Sequence, residues 1–541
     1  MFKLHANPRI AFTVCLLLAG SLAAAPASAE TLSDVIAYAV QANPGLQAQR
    51  AALRALDESY VQARSGFGTS ISTSTGATTY SDRRSGVTAS AETQSSALSV
   101  IQPLYTGGRV TGRVRAAEAQ IRAGRETLRR YELDVIQRVV SAYMNVLRDQ
   151  QLLSISQDTV AVLNKELADT QARFNVHEVT ITDLAQAKAR MSQALTQQLT
   201  AQAQLGTSRA TYFGVVGQSP RDLAAAPPIT NLPASLDQTL NAAEANNPQL
   251  QSARLTEEGS RAAVATAKAE RYPSVSARFD LQRTPVAPYL RRPYDDVRSA
   301  SVTISQPLFS AGQISSGIRR SVEENNRDRL IIDDTRLQVI QQVSSVWEQL
   351  VALRQQLTTA QNEVSSDELA FAGVRQEQKF ALRSTIEVLN AELELSNAQQ
   401  NLTRVRAAEY VSRVQLLAAA GILTAEQLSP GAASYDATAN FRRVRSSGAT
   451  PLEIPVRVLE ALTTKRLGAQ PPSSIAEMRP DGPALPPEAV RADEPITSIY
   501  SILERSDAAA KHCDAPCPTP KPPLTDLSDG RPHPAGRPPS P

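Results

Sequence analysis

Residues 43–152 and 247–356 of this chain are one pattern written twice, 204 residues apart. Asn43-Pro44 recurs as Asn247-Pro248, and Gln102-Pro103-Leu104-Tyr105 recurs as Gln306-Pro307-Leu308-Phe309. Gly108 falls on Gly312, and Val135-Ile136-Gln137 on Val339-Ile340-Gln341. Val139, Val146 and Leu153 fall on Val343, Leu350 and Leu357. A constant offset across matches this far apart means a tandem duplication with almost no insertions. The period is far too long for a solenoid repeat. Each half is a complete unit, so the function is one that two similar halves can build.

A chain of 541 residues would suit three or four ordinary domains, but the duplication implies two large ones and a remainder. The net charge is only +3 with both signs interspersed, which leaves no nucleic-acid footprint. Hydrophobic residues make up 42% and aromatics 4%, a balance that favours long helices with narrow seams over a thick core. Residues 1–29 read as a secretory signal peptide. Lys3, His5 and Arg9 precede the apolar stretch Ile10–Leu22, and Ala27-Ser28-Ala29 supplies the cleavage pattern before Glu30. Cys15 lies inside that stretch without a preceding pair of small residues, so no lipid-anchored cysteine is expected. Beyond it no apolar run is long enough for a transmembrane helix. Cys513 and Cys517 sit beside His512 in a Pro-rich tail, too few ligands for a metal site; a local disulfide or free thiols is the expectation.

The periodicity predicts the same order of elements in each half. Thr31-Leu32-Ser33-Asp34 opens a short helix ending near Asn43, and Pro44 starts a second reaching Arg64. From Ser65 the pattern switches to period two, with Phe67, Thr69, Ile71, Thr73 and Thr75 alternating with Gly and Ser. Tyr80–Gly86 reads as a polar connection, and a second strand runs from about Thr93 to Gln102, where Pro103 stops it. The hairpin is thus placed at 65–103. A helix of residues 107–174 follows, with heptad spacing at Ile121, Leu128 and Val135, then a return helix of residues 182–213. So long a helix spans about 100 Å at about 1.5 Å per residue, too long for a globular domain. The first repeat therefore covers residues 30–219 and a Pro-marked linker covers 220–235. The second repeat, 236–424, holds a hairpin at 273–307, a long helix at 312–380 and a return helix at 385–420. Residues 430–541 carry twenty of the 34 prolines and read as largely extended or disordered, with short helices expected at Ile454–Arg466 and Ile496–Ala509.

Four strands of about ten residues match the length that crosses an outer membrane as part of a barrel. The smallest such barrels have eight strands, so one chain cannot close one alone. Symmetric assembly removes the open edges, and the helices, which leave every hairpin on the same side, form a second coaxial cylinder. The expected class is an α+β membrane protein without cofactors. The alternative is a trimeric coiled-coil stalk or adhesin without a channel, which explains the heptads but not the paired strands midway through each half. An enzyme is not expected. His177 is the one histidine outside the signal peptide and tail, and no metal cluster, nucleophile elbow or phosphate loop is apparent.

Over residues 30–424 the chain resembles the TolC family of outer membrane factors. The resemblance rests on the doubled Asn-Pro and on the doubled strand ending, Ser99–Leu104 and Thr303–Leu308, each followed by its glycine. It rests also on the turn from Arg173 to Leu184. It implies a homotrimeric, 12-stranded β-barrel continuing into a periplasmic α-helical coiled-coil barrel. It further implies an exit duct of a tripartite efflux pump or type I secretion system. Its partners would be a periplasmic adaptor, an inner-membrane transporter of RND or ABC type and outer-membrane lipid, with small molecules or polypeptides as cargo.

The same resemblance makes the turns between long and return helices a gate. Phe380, Arg383 and Glu387 match the family's pattern there, Asn390 stands where a second acid is expected, and Asp183 matches the acid of the first half. Arg383 and Glu387 are also an ordinary i,i+4 helix pair, worth tenths of a kcal/mol on an exposed helix. Counted from Phe174 and Phe380, the second turn is two residues shorter than the first, and the family's tip glycine is missing, with His177 and Arg383 nearby. A histidine there would add pH sensitivity, or simply be an exposed loop residue.

Overall fold

The computed structural model describes residues 30–84, 87–229, 232–287, 292–380, 382–429 and 435–467. The expected signal peptide, the expected helix at 496–509 and Cys513 and Cys517 lie outside these residues.

Helices α1 (Leu32–Ala42) and α2 (Pro44–Arg64) meet at Asn43. The Asn43 Oδ1 accepts from the Leu46 amide at 3.1 Å, which caps α2, and its Nδ2 donates to the Val215 carbonyl at 3.3 Å. Pro44 sits at the first helical position, where its missing N–H would have no partner anyway. Helix α3 (Arg109–Asn175) runs for 67 residues and α4 (Ile181–Val216) returns along it for 36. The second half repeats the plan with α5 (Leu236–Asn246), α6 (Pro248–Ala269), α7 (Gln313–Lys379) and α8 (Thr385–Ala419). Asn247 does what Asn43 does. It caps α6 through Oδ1 and donates to the Ala419 carbonyl at 2.9 Å, the position 204 beyond Val215. The doubled Asn-Pro thus closes the base of each helical half onto the end of its own return helix.

The long helices are equal in length but not in burial. Twenty-three residues of α3 are buried, Ile121, Leu128, Val135, Val139 and Val146 of the heptad rows among them, against eight of α7. Helix α3 is central and touches α2, α4, α6 and α8, whereas α7 touches α5, α6 and α8. Leu330, Leu337 and Leu369 of α7 are exposed by 69%, 67% and 77%. One chain therefore leaves an apolar flank on its second half.

Strands β1 (Ser70–Arg84), β2 (Val87–Tyr105), β3 (Ser274–Pro285) and β4 (Tyr294–Ser305) form one antiparallel sheet in sequence order. The first hairpin is longer than the sequence suggests. Tyr80–Arg84, expected as a connection, pairs with Val87–Ala91, and Ser65–Phe67 is a 3₁₀ turn rather than strand. Nor does Pro103 stop β2. It pairs opposite Ser276, and the register shifts between Pro103 and Tyr105, the bulge that a residue without an N–H calls for.

Cross-strand partners share a face, which sorts the sheet into two sides. One side carries the row Ile71, Val100, Phe279 and Ala300, then Leu98 and Leu281, then Ala277 and Val302. The other carries Ser72, Ser99, Asp280 and Ser299, with Arg278 and Ser301 in the next row. The apolar side is continuous in the part of the sheet nearest the helices; farther along the same side stand Arg298, Arg283 and Asp296. An apolar band opposite a mainly polar face is the pattern of a membrane barrel wall. Among the described residues β1 and β4 each have a strand on one side only.

Past the second repeat the chain is not simply extended. Helix α9 (Ala425–Leu428) is followed by α10 (Ala439–Val444) and α11 (Glu453–Leu467), which return to the first half. Helix α10 packs on α2, where Phe441 meets the Tyr60 ring edge-on at 5.2 Å and Asn440 donates to the buried Asp57 at 2.8 Å. The expected helix at 454–466 is α11, and the structure at 439–444 corrects the expectation of an extended chain.

Candidate functional site

The two turns between long and return helices are built alike. Helix α3 ends at Asn175 and α4 begins at Ile181; α7 ends at Lys379 and α8 begins at Thr385, each boundary 204 beyond its counterpart. The second turn is therefore not shorter. Phe380 occupies the position of Val176, not of Phe174, and matching the two phenylalanines misaligns the turns.

Both long helices close with the equivalent backbone bond. The Glu178 amide donates to the Arg173 carbonyl at 2.9 Å, and the Leu382 amide to the Glu377 carbonyl at 3.1 Å. In the first turn the residue inside this closure, His177, lies in the left-handed region, the usual place of glycine, with φ at +65°. Histidine is among the residues enriched in that region.

Both return helices open with a capping box. The Asp183 amide donates to Thr180 Oγ1 at 3.2 Å, and Asp183 Oδ2 accepts from the Thr180 amide at 3.0 Å and hydroxyl at 2.8 Å. Ser384 and Glu387 repeat this, Glu387 Oε2 accepting from the Ser384 amide at 2.8 Å and hydroxyl at 3.0 Å. These bonds to the charged form hold both carboxyls below their ordinary range; for Glu387 the serine bonds lead and Arg383 adds to them.

Of the five residues singled out from the sequence, Arg383 and Glu387 are joined directly. Arg383 Nη1 donates to Glu387 Oε1 at 3.1 Å. Its Nε donates across the turn to Glu377 Oε2 at 2.8 Å, and these two carboxylates raise the guanidinium's pKa, Glu377 contributing more. Asp183 is engaged with Thr180 instead. Asn390 lies on α8, where its Oδ1 accepts from Arg190 of α4 at 3.1 Å. Phe380 caps α7 and is 68% exposed, one of four apolar residues laid bare at the turns with Val176, Ile181 and Leu382. Sequence reading missed Glu377, Arg190 and the two capping boxes. The boxes were visible as Thr180-x-x-Asp183 and Ser384-x-x-Glu387, 204 residues apart.

Behind the turns, Leu163, Ala187, Ala194 and Leu389 form a small core. Beside it on α3 and α8, Glu166, Thr170 and Glu392 are buried polar groups, with the Arg375 guanidinium 3.9 Å from Glu166. Burial, opposed by Arg375 and reinforced by Glu166 and Asp158, pushes the Glu392 carboxyl up to about 7. The turns hold their shape through exposed hydrogen bonds and ion pairs.

The family model described as outer membrane efflux protein matches residues 35–218 and again 239–422, two spans related by the same offset of 204. Outer membrane efflux protein BepC of Brucella suis is 29% identical over 430 residues, covering 79% of this chain and 94% of that protein. Outer membrane protein TolC of Escherichia coli is 25% identical over 424 residues, covering 74% and 84%. Among solved structures, the CmeC outer membrane channel of Campylobacter jejuni superposes with a TM-score of 0.66 at 14% identity, covering 78% of this chain and 90% of that one. The fold is that of the trimeric outer-membrane channels, with four strands per chain and long helices continuing them. Its relatives are channels rather than enzymes, and the adhesin alternative is set aside. The chain belongs to the outer membrane efflux protein family, and its function is that of an outer-membrane exit duct.

Proposed function

We propose that three copies of this chain close one barrel and pass cargo from an inner-membrane transporter, through a periplasmic adaptor, to the exterior. The observation that carries this is the four-stranded sheet with an apolar face and two open edges. In lipid every orphaned backbone group of an open edge costs several kcal/mol. Two copies supply eight strands, a barrel whose interior side chains fill. Three supply twelve and leave an aqueous lumen, lined by the Ser72, Ser99 and Asp280 side of the sheet. The same closure gives the exposed leucines of α7 a neighbour to pack against.

The turns serve as the resting constriction. Arg383 braces one turn between Glu377 and Glu387, and Arg190 with Asn390 ties the two return helices. All are exposed bonds of modest strength, suited to an equilibrium that a docking adaptor tips. The bare Val176, Ile181, Phe380 and Leu382 offer that adaptor an apolar tip. The lumen's polar lining selects by size and wetness, so the transporter chooses the cargo, small molecule or polypeptide. The test is the mass of the detergent-extracted complex together with its conductance in a planar bilayer. A trimer of small conductance that widens in Arg383→Ala or Glu387→Ala supports the reading. A lone protomer, or a wide pore indifferent to both substitutions, overturns it.

A further inference from the structure

Over its described side chains, Glu453 to Glu460, helix α11 is built inside out for a helix in water. Glu453, Val456 and Glu460, spaced three and four apart, form its buried stripe, while Ile454 and Val458 on another side are exposed by 69% and 55%. Leu452, just before the helix, is exposed by 52%. Each buried acid has a dedicated partner. Glu453 lies 3.3 Å from the Arg64 guanidinium, both side chains nearly inaccessible. Glu460 accepts from Thr106 at 2.9 and 3.0 Å and from Thr111 at 3.1 Å. Val456 completes a small cluster with Phe67 and Val110. The charges are anchored inward and the hydrocarbons are presented outward, an arrangement that costs stability in water and gains it against lipid.

Its place in the fold says which lipid. Thr106 and Thr111 flank the point where β2 ends and α3 begins, the end of the sheet from which every long helix emerges. The apolar face of the sheet runs through Leu98 and Val100 to Gln102, whose amide donates to the Phe67 carbonyl at 3.1 Å, against the residue that α11 covers. The apolar side of α11 thus continues the membrane face of the barrel at its lower rim. Cations border it: Arg457 is half exposed beside Glu453, and Arg443 and Arg445 are exposed on the adjoining segment, which Arg64 holds through the Arg445 and Ser447 carbonyls. Guanidinium heads on flexible stems beside an apolar strip suit the phosphate level of a leaflet.

We propose that α11 is an interfacial helix, seated in the periplasmic leaflet of the outer membrane with Leu452, Ile454 and Val458 among the upper acyl chains. Among the described residues the first half alone carries this girdle, so a trimer rests on three of them. The inference rests on the barrel reading, and the test separates the two. Trp347 is the sole tryptophan, so the full-length protein with Trp347→Phe is a silent background. Ile454→Trp, or Val458→Trp should the first fail to assemble, is reconstituted in vesicles of phosphatidylethanolamine and phosphatidylglycerol. Val302→Trp, on the apolar face of β4, serves as the barrel control. The expected result for the Ile454→Trp protein is a loss of indole emission with lipids brominated near the glycerol end of the acyl chain, and little loss with aqueous acrylamide. Quenching by acrylamide but not by lipid, or protection from both because a neighbouring protomer covers the helix, overturns the proposal while a lipid-quenched Val302→Trp leaves the barrel standing. If neither tryptophan is quenched by lipid, the barrel reading falls as well.

Discussion

Arg190 on one return helix donates to Asn390 on the other across 3.1 Å, a polar tie between the two halves of one chain close to both turns. The bond is exposed, so it is worth at most about 1 kcal/mol. Asn390→Ala is expected to raise single-channel open probability by up to about fivefold, the factor that energy allows. Asn390→Asp turns the amide into a carboxylate facing Arg190 and is expected to lower it. Equal open probability for both variants would remove the tie from the closing machinery.

Glu387 does two jobs that substitutions separate. Glu387→Gln keeps an acceptor for Ser384 but loses the charge that faces Arg383. Glu387→Ala loses both. Conductance is expected to rise in the order wild type, Gln, Ala. Ser384→Ala, which removes the cap alone at a cost of about 1 kcal/mol, should fall between the extremes. A double-mutant cycle of Arg383→Ala with Glu387→Ala measures what the pair adds.

The carboxyls of Glu387 and Glu392 pull in opposite directions with pH. Glu387 is lowered from 4.5, so its contribution is present above that value and fades as pH falls through the lower folded value. Glu392 is raised from 4.5 to about 7, so the folded state holds a proton that the unfolded state has lost between those values. Stability from Glu392 is therefore full below about 4.5 and declines as pH rises towards 7. Thermal melts of the trimer across this window are expected to slope downward with pH, and Glu392→Gln is expected to flatten them. An unchanged slope in Glu392→Gln would assign the dependence elsewhere.

The helices were legible nearly to the residue because the duplication checks itself: a cap in one half must have its double 204 positions on. Pro44–Arg64 was bounded by proline at its first position and by the change of periodicity at Ser65. The strand ends were less legible. Tyr80–Arg84 is polar on both faces, so the alternation that marks a half-buried strand vanishes although the backbone pairing continues. The turns mislead because an aromatic identity, Phe174 against Phe380, competes with the constant offset that pairs Phe380 with Val176. Within the tail, α11 was legible as a helix over 454–466, but α10 was masked by its proline-rich surroundings and shortness.

Gly217 and Gly421 end the two return helices with φ at +91° and +69°, and they offer a matched comparison. Alanine at either carries the left-handed penalty of about 1–2 kcal/mol. At Gly217 a Cβ meets nothing within 4 Å, whereas at Gly421 it lies 2.4 Å from the Asn246 carbonyl oxygen. Gly421→Ala is expected to lower the melting temperature well below that of Gly217→Ala, and equal melts would refute the close approach.

Arg64→Ala leaves the buried Glu453 carboxylate to the half-exposed Arg457 at 3.7 Å, a loss of up to about 3–5 kcal/mol for breaking such a pair from one side. Helix α11 is expected to detach, seen as faster tryptic cleavage at Arg457. Arg64→Met with Glu453→Leu replaces the pair by hydrocarbon and is expected to restore protection.

The open margins of the sheet have a genetic consequence. The first strand of each protomer can be satisfied only by the last strand of the next, head to tail around the ring. A copy that folds but carries a spoiled margin is still admitted by its sound side, and it ruins the whole ring it joins. With half the pool spoiled, roughly one ring in eight would be made wholly of sound copies if three join at random, so such an allele should act as a dominant poison rather than a silent loss.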